Sequence, residues 1–325
     1  MTAKIIDITL DPDGALAEAL QVLRDGFPVA IPTETVYGLA ADATNPAAIA
    51  RIYETKGRPR FNPLICHMAD RAMAERYAHF DALSLTLADA FWPGPLTLIL
   101  PLREGSGIHA LATAGLETVG IRVPQGFAGT IIRAFDRPLA APSANTSGKI
   151  SPTSARHVAD DLGGKLRLIL DGGASPVGVE STIVRVEGDT IRLLRPGGIS
   201  AEEIEAATGI AVTRPAGPSA TIEAPGMLAS HYAPGAALRL DATEVAEGEA
   251  LIRFGGEPKS GTDGAVAIFD LSPAGDLAEA AANLFDMLKQ ADASGAAMIA
   301  VGPVPTQGLG EAINDRLARA AAPRD

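Results

Sequence analysis

The densest group of chemically capable side chains lies in KGRPRFNPLICH (56–67), where Lys56, Arg58 and Arg60 crowd into one short stretch. A forked arginine beside a point-charge lysine suits polyphosphate oxygens, because arginine bonds two at once while lysine neutralises. The same cations would equally serve a helix C-terminus, where positive charge meets the negative end of the dipole. As a loop cation beside a cleft, Lys56 is expected to matter for activity and not for folding. His67 ends the next apolar run, so its neighbours decide whether it is a packed imidazole or meets a ligand. Arg122 stands inside the apolar TVGIRVP (118–124). An unpaired charge there is costly and calls for an anion, either a ligand or a buried carboxylate.

Three further segments supply hydroxyls, amides and glycines. PTETVYGLAADA (32–43) packs Thr33, Glu34, Thr35 and Tyr37 into a turn ending at Gly38, fit to orient a small polar ligand or simply to leave a strand. PSANTSGKISPTSA (142–155) carries Ser143, Asn145, Ser147, Gly148 and Ser151. Its polar groups suit phosphate or carboxylate, or a solvated loop with a helix cap near Ser151 or Thr153. DGGASPVGVEST (171–182) is glycine-rich enough to approach a ligand closely, as hairpin connections also are. LLRPG (193–197) leaves Arg195 at the end of a strand-like run.

The elements that must position these groups follow from periodicity. Up to about residue 212, buried strand-like runs at 28–31, 63–68, 96–100, 119–123 and 167–170 alternate with helical ones, which predicts an α/β or α+β domain. Leu16, Ala19, Leu20 and Leu23 form one helical face closed by Gly26, and Ile49, Ile52 and Tyr53 another closed by Gly57. Residues 181–194 read as a hairpin turning at Gly188-Asp189, and Ser200 with Glu203 as a capping box. Pro, Gly, Ala and Ser dominate from 208 to 235, a linker composition. Strands at 237–240, 265–269 and 297–301, with helices near 275–290 and 309–321, then predict a small α/β domain. The expected division is 1–207, a linker 208–235, and 236–325.

Composition narrows the function. The 325 residues are 47% hydrophobic and 20% charged, as in folded globular proteins. No apolar stretch approaches the ~20 residues of a membrane helix, and 1–10 lacks a basic start and apolar run, so neither membrane insertion nor export is expected. Cys66 is the single cysteine, and histidines 67, 79, 109, 157 and 231 show no metal-ligand spacing. A reducing cytoplasm and no resident metal are expected. A formal net charge of −12 argues against coating nucleic acid, so any RNA contact would be weak and local. GxxxxGK[ST], GxGxxG and GxSxG are all absent, which removes the usual kinase, dehydrogenase and hydrolase readings.

Taken in order, PTETVYGL, Lys56-Gly-Arg58, NPLICH, TVGIRVP, Ser143-Ala-Asn145, STIV, RPG and, in the linker, HYAP resemble the YrdC-type threonylcarbamoyl-AMP synthases in their long two-domain form. The resemblance covers essentially the whole chain. It implies an open twisted mixed sheet around a cationic cleft, followed by a smaller Rossmann-like α/β domain. It implies that L-threonine, bicarbonate and ATP are joined into threonylcarbamoyl-AMP with release of diphosphate, for modification of the adenosine next to the tRNA anticodon. Lys56, Arg58, Ser143 and Asn145 would then be catalytic. Thr35, His67, Arg122, Ser143 and Ser181 would face L-threonine, and Arg58, Asn62, Thr118, Asn145, Thr153, Arg195 and Tyr232 would face ATP. Mg2+ would be carried by the ATP phosphates without a protein ligand. Downstream tRNA threonylcarbamoyl-transfer proteins would be the partners. The pattern departs at Leu228, Ala229 and Ser230, where the family often carries basic or aromatic residues.

Two other classes remain open on sequence alone. An RNA-binding maturation factor would use the same cations and show salt-dependent RNA affinity without ATP turnover. A carbamoyl-transfer module would consume carbamoyl phosphate without threonine, although the zinc-finger cysteines of such proteins are missing here.

Overall fold

The computed structural model describes residues 2–214, 223–226, 230–256 and 260–323. Leu228, Ala229 and part of the expected linker lie outside the described residues. The first part of the chain forms β1 (Lys4–Asp7), α1 (Pro12–Arg24), β2 (Val29–Ile31), β3 (Gly38–Asp42), α2 (Pro46–Lys56), β4 (Ile65–His67), α3 (Arg71–Glu75), α4 (Ala82–Phe91), β5 (Leu96–Pro101), α5 (Ala110–Thr113), β6 (Thr118–Arg122), α6 (Phe127–Phe135), β7 (Leu139–Ala140), α7 (Ala155–Leu162), β8 (Leu168–Asp171), β9 (Thr182–Glu187), β10 (Thr190–Arg195), α8 (Ala201–Thr208) and β11 (Val212–Thr213). These strands make an 11-stranded mixed sheet, ordered β1-β8-β2-β3-β7-β4-β6-β5-β9-β10-β11.

Local chemistry explains several boundaries. Asn45 caps α2 by accepting from the Ala47 and Ala48 amides, Pro46 starts the helix, and Gly57, at φ 62°, turns the chain out of it. Ser200 and Glu203 make the expected capping box. β9 and β10 pair antiparallel across Gly188-Asp189. The sheet runs on to Thr213, because β11 pairs parallel with β10, inside the stretch read from composition as linker.

The second part forms β12 (Ala237–Arg239), β13 (Ala250–Arg253), β14 (Ala267–Asp270), α9 (Leu277–Ala293), β15 (Met298–Val301) and α10 (Leu309–Ala321). Its four strands pair parallel in the order β12-β15-β13-β14, a second and smaller parallel sheet. Its core takes in Val36, Ile150 and Val179 from the first part and Tyr232 from the linker, so the two domains share buried apolar surface. No helix of the described residues is long and apolar enough to cross a membrane.

Candidate functional site

The register of the large sheet gathers the predicted residues. β4 lies between β7 and β6, and its parallel pairing with β6 sets His67 directly beside Arg122. Side chains in register share one face, and on that face a cavity opens over Ile65, His67 and Arg122. The 32–37 turn passes over it, held by Val177 N–H donating to the Glu34 carbonyl (2.8 Å) and Tyr37 Oη donating to the Gly173 carbonyl (2.7 Å).

Arg122 is the best-defined cation. Its Nη1 donates to Thr35 Oγ1 at 2.8 Å and its Nε to the Gly94 carbonyl at 3.3 Å. Its Nη2 lies 2.7 Å from Glu34 Oε1, an ion pair in which the N–H is poorly aimed at the oxygen. The buried carboxylate left open by the sequence is therefore Glu34. A guanidinium has five donors, so each terminal nitrogen retains one for a further acceptor. Burial and the Arg122 charge push His67 down to about 3, which keeps the imidazole neutral at ordinary pH. Its Nδ1 has no hydrogen-bond partner among the described residues.

Two arginines occupy the rest of the wall. Arg58 follows the left-handed Gly57 and donates to the carbonyls of Asn62 (Nε, 3.3 Å) and Pro63 (Nη2, 2.9 Å); burial brings it down to about 10. Arg195 ends β10 and donates through Nη2 to the Ser181 carbonyl (2.9 Å) and hydroxyl (3.1 Å). Ser181 Oγ also lies 2.8 Å from Thr97 Oγ1. The linker closes the top through Pro225, Gly226, His231 and Tyr232. Tyr232 sits at φ 62°, packs edge-on to His231 (4.1 Å) and stacks on Phe285 of α9 (5.5 Å). Closed in this way, the cavity holds about 50 Å³.

Of the residues predicted from sequence, Thr35, Arg58, His67, Arg122, Ser143, Ser181, Arg195 and Tyr232 line this cavity together. Lys56 does not line it, and it is not a loop cation: it is the last residue of α2 and is buried. Its Nζ donates to the carbonyls of Ser143 and Asn145, each at 2.5 Å. Burial, then the Arg58 charge, pushes its ammonium well below the usual lysine value. Asn145 turns inward, its Nδ2 donating to the Thr146 (2.9 Å) and Lys149 (2.8 Å) carbonyls. Asn62 sits behind Arg58 with its Oδ1 buried and unbonded. Thr118 starts β6, four residues from Arg122 and thus roughly 13 Å away along the strand. Thr153 faces His157, its Oγ1 3.4 Å from Nδ1. Glu180 and His231 also line the cavity and were not singled out from sequence, although both lie in segments that were.

Comparison with known proteins agrees with this geometry. The family described as Telomere recombination, which takes in the Sua5, YciO and YrdC proteins, matches residues 21–197, and the one described as Threonylcarbamoyl-AMP synthase, C-terminal domain, matches 199–322. The Bacillus subtilis threonylcarbamoyl-AMP synthase is 43% identical over 96% of this chain and 94% of its own. The Pyrococcus abyssi enzyme of the same name is 43% identical over 93% of this chain and 92% of its own. The structure of P. abyssi Sua5 complexed with L-threonine superposes with a TM-score of 0.84 at 39% identity, covering 94% of each chain. With both domains matched and the cavity residues in place, this chain belongs to the Sua5/YciO/YrdC family, as a two-domain enzyme of the threonylcarbamoyl-AMP synthase, nucleotidyltransferase type.

Proposed function

We propose that the chain makes L-threonylcarbamoyl-AMP from L-threonine, bicarbonate and ATP in the cytoplasm, for transfer by downstream proteins to the tRNA adenosine next to the anticodon. The observation that carries this reading is the meeting, in one cavity, of an Arg122–His67–Thr35–Ser143–Ser181 corner with the Arg58–Arg195–Tyr232 wall. The relative solved with L-threonine supports the amino-acid assignment.

In this reading the threonine carboxylate takes the two remaining Arg122 donors, a bidentate pairing. Neutral His67 accepts from the amine or hydroxyl without repelling the ammonium. After the amine loses a proton, its nitrogen forms a bond to the bicarbonate carbon while that carbon's bond to a hydroxyl oxygen breaks and water leaves, and a carbamate oxygen then attacks the α-phosphorus. The bond from that phosphorus to the bridging oxygen breaks, and diphosphate leaves. Two anions must meet, so Arg58 and Arg195 supply fixed positive charge where negative charge converges. ATP enters as its magnesium complex, the ion riding on phosphate oxygens. Lys56 contributes by fixing the loop that bears Ser143 and Asn145. Asn62 and Asn145 adjoin the wall from behind, whereas Thr118 and Thr153 enter the proposed ATP set through the family resemblance. A cavity of about 50 Å³ lies well below the roughly 300 Å³ of small-molecule pockets, so Pro225, Gly226, His231 and Tyr232 must move off the wall to admit ATP and return over it.

The test is diphosphate release from ATP and bicarbonate with and without L-threonine, alongside chromatography for the product. Threonine-dependent release with threonylcarbamoyl-AMP is expected. Folded protein that releases no diphosphate, or releases it regardless of threonine, would refute the proposal.

A further inference from the structure

Glu180 is out of place in a cavity built for anions. It lines the wall beside Arg195, where its charge would oppose a polyphosphate. Both its oxygens are engaged: Oε1 accepts from Ser151 Oγ at 2.5 Å, and Oε2 accepts from Arg316 Nε at 2.7 Å. Arg316 comes from α10 of the second domain and is fully buried. Its Nη1 pairs with Asp315 Oδ2 at 2.6 Å, while Nη2 has no hydrogen-bond partner among the described residues. The guanidinium lies 5.2 Å from the ring centre of Tyr232, a cation–π contact that takes the place of the missing bond. One side chain thus touches the catalytic domain through Glu180 and the linker through Tyr232. Around it the domains meet at backbone distance. A Cβ on Gly178, at φ 75°, would fall 2.3 Å from the Ala281 carbonyl oxygen of α9, and His231 N–H donates to the Arg319 carbonyl at 3.2 Å.

We infer that Arg316 is a positioning residue of the nucleotide site: by docking, the second domain neutralises Glu180 on the cavity wall and supports Tyr232 over it. The inference rests on the proposed ATP assignment. An undocked second domain would leave a bare carboxylate facing the phosphates and a linker tyrosine without its cation. Nucleotide affinity and domain docking are then coupled, and by linkage ATP tightens the docking that favours it. The burial of an ion pair at a domain junction could serve stability alone, so the test must separate the substrates.

Steady-state diphosphate release gives KM for ATP and for L-threonine in full-length wild type, Arg316→Met, Arg316→Lys, Glu180→Gln and the double variant Glu180→Gln/Arg316→Met. Arg316→Met should raise KM for ATP by at least about tenfold and leave that for threonine within about twofold, because it bares a carboxylate at one end of the site only. Adding Glu180→Gln removes that carboxylate and should recover much of the ATP affinity; Arg316→Lys should fall between. An unmoved ATP KM, an equal shift for both substrates, or no recovery in the double variant overturns the inference. If Arg316→Met does not fold, Arg316→Lys decides: an ATP-selective rise supports the inference, and its absence refutes it. A wild type without threonine-dependent turnover strikes the proposed function, and this inference with it; an active wild type with the outcomes just named strikes this inference alone.

Discussion

Lys56→Met tests whether the buried side chain at the end of α2 acts on substrate or on its own chain. Methionine nearly keeps the volume and removes the donor. The Asn145 carbonyl, 2.5 Å from Nζ, then loses its partner in a buried setting, whereas the Ser143 carbonyl keeps the Asn145 N–H at 3.0 Å. An orphaned buried acceptor costs about 1–3 kcal/mol, and the bond lost at Ser143 adds to it. Relief from burying an ammonium offsets part of this, which places the net at about 2 kcal/mol. For a domain of this size each kcal/mol moves Tm by about 2–4 °C, giving a fall of about 4–8 °C. Calorimetry reads that fall, and diphosphate release should drop with it because the loop bearing Ser143 is no longer fixed. A variant that melts with wild type yet loses turnover would refute the structural assignment and restore Lys56 as a substrate contact. A variant unchanged in both would show that the loop is held by other bonds.

Two further expectations concern the linker and the buried histidines. Gly226 sits at φ 86°, and a Cβ there would lie 2.8 Å from Arg195 Cδ. Gly226→Ala should therefore hold the linker off the wall and raise KM for ATP, and the left-handed backbone, strained for alanine by about 1–2 kcal/mol, should lower Tm by about 2–8 °C; an unchanged KM would show that the linker closes without this approach. His67 and His231 are both pushed down to about 3, mainly by burial. Unfolded histidine titrates near 6.5, so below that value the unfolded chain binds protons that the native one refuses. Stability present above about 6.5 should fall as pH drops towards 3, by up to about 1.4 kcal/mol per pH unit for each imidazole. Urea midpoints measured across that window should show a shallower slope in His67→Gln, and equal slopes would mean that His67 charges in the fold.

Much of the architecture was legible because strands buried on both faces read as unbroken apolar runs. LTLILP and TVGIR gave themselves away as β5 and β6 in this manner. β3, with the sequence GLAAD, is equally buried, yet glycine and alanine carry little strand signal, and the turn was read as ending where this strand begins. β13 (ALIR) is not among the strands expected in the second domain, although β14 and β15, equally short, are. At the site, the register that joins His67 to Arg122 is not visible in either segment alone. The Glu180–Arg316 pair is harder still: its partners stand 136 positions apart, and Arg316 occupies an unremarked place in an ordinary amphipathic helix. Lys56 was misplaced because a charge at a helix end is normally solvated, whereas here the 143–145 loop folds over it.

The strand order also dictates when, during synthesis on the ribosome, this enzyme becomes itself. β1 pairs with β8, and β5 with β9, so the large sheet cannot close until residues near 187 have left the exit tunnel. A nascent chain of any shorter length holds unpaired strand edges, the form of exposure that chaperones attend to. Even a finished first domain then waits, because the guanidinium that meets Glu180 is translated 136 residues after it. The order of translation thus makes the sheet first and its electrostatic balance later.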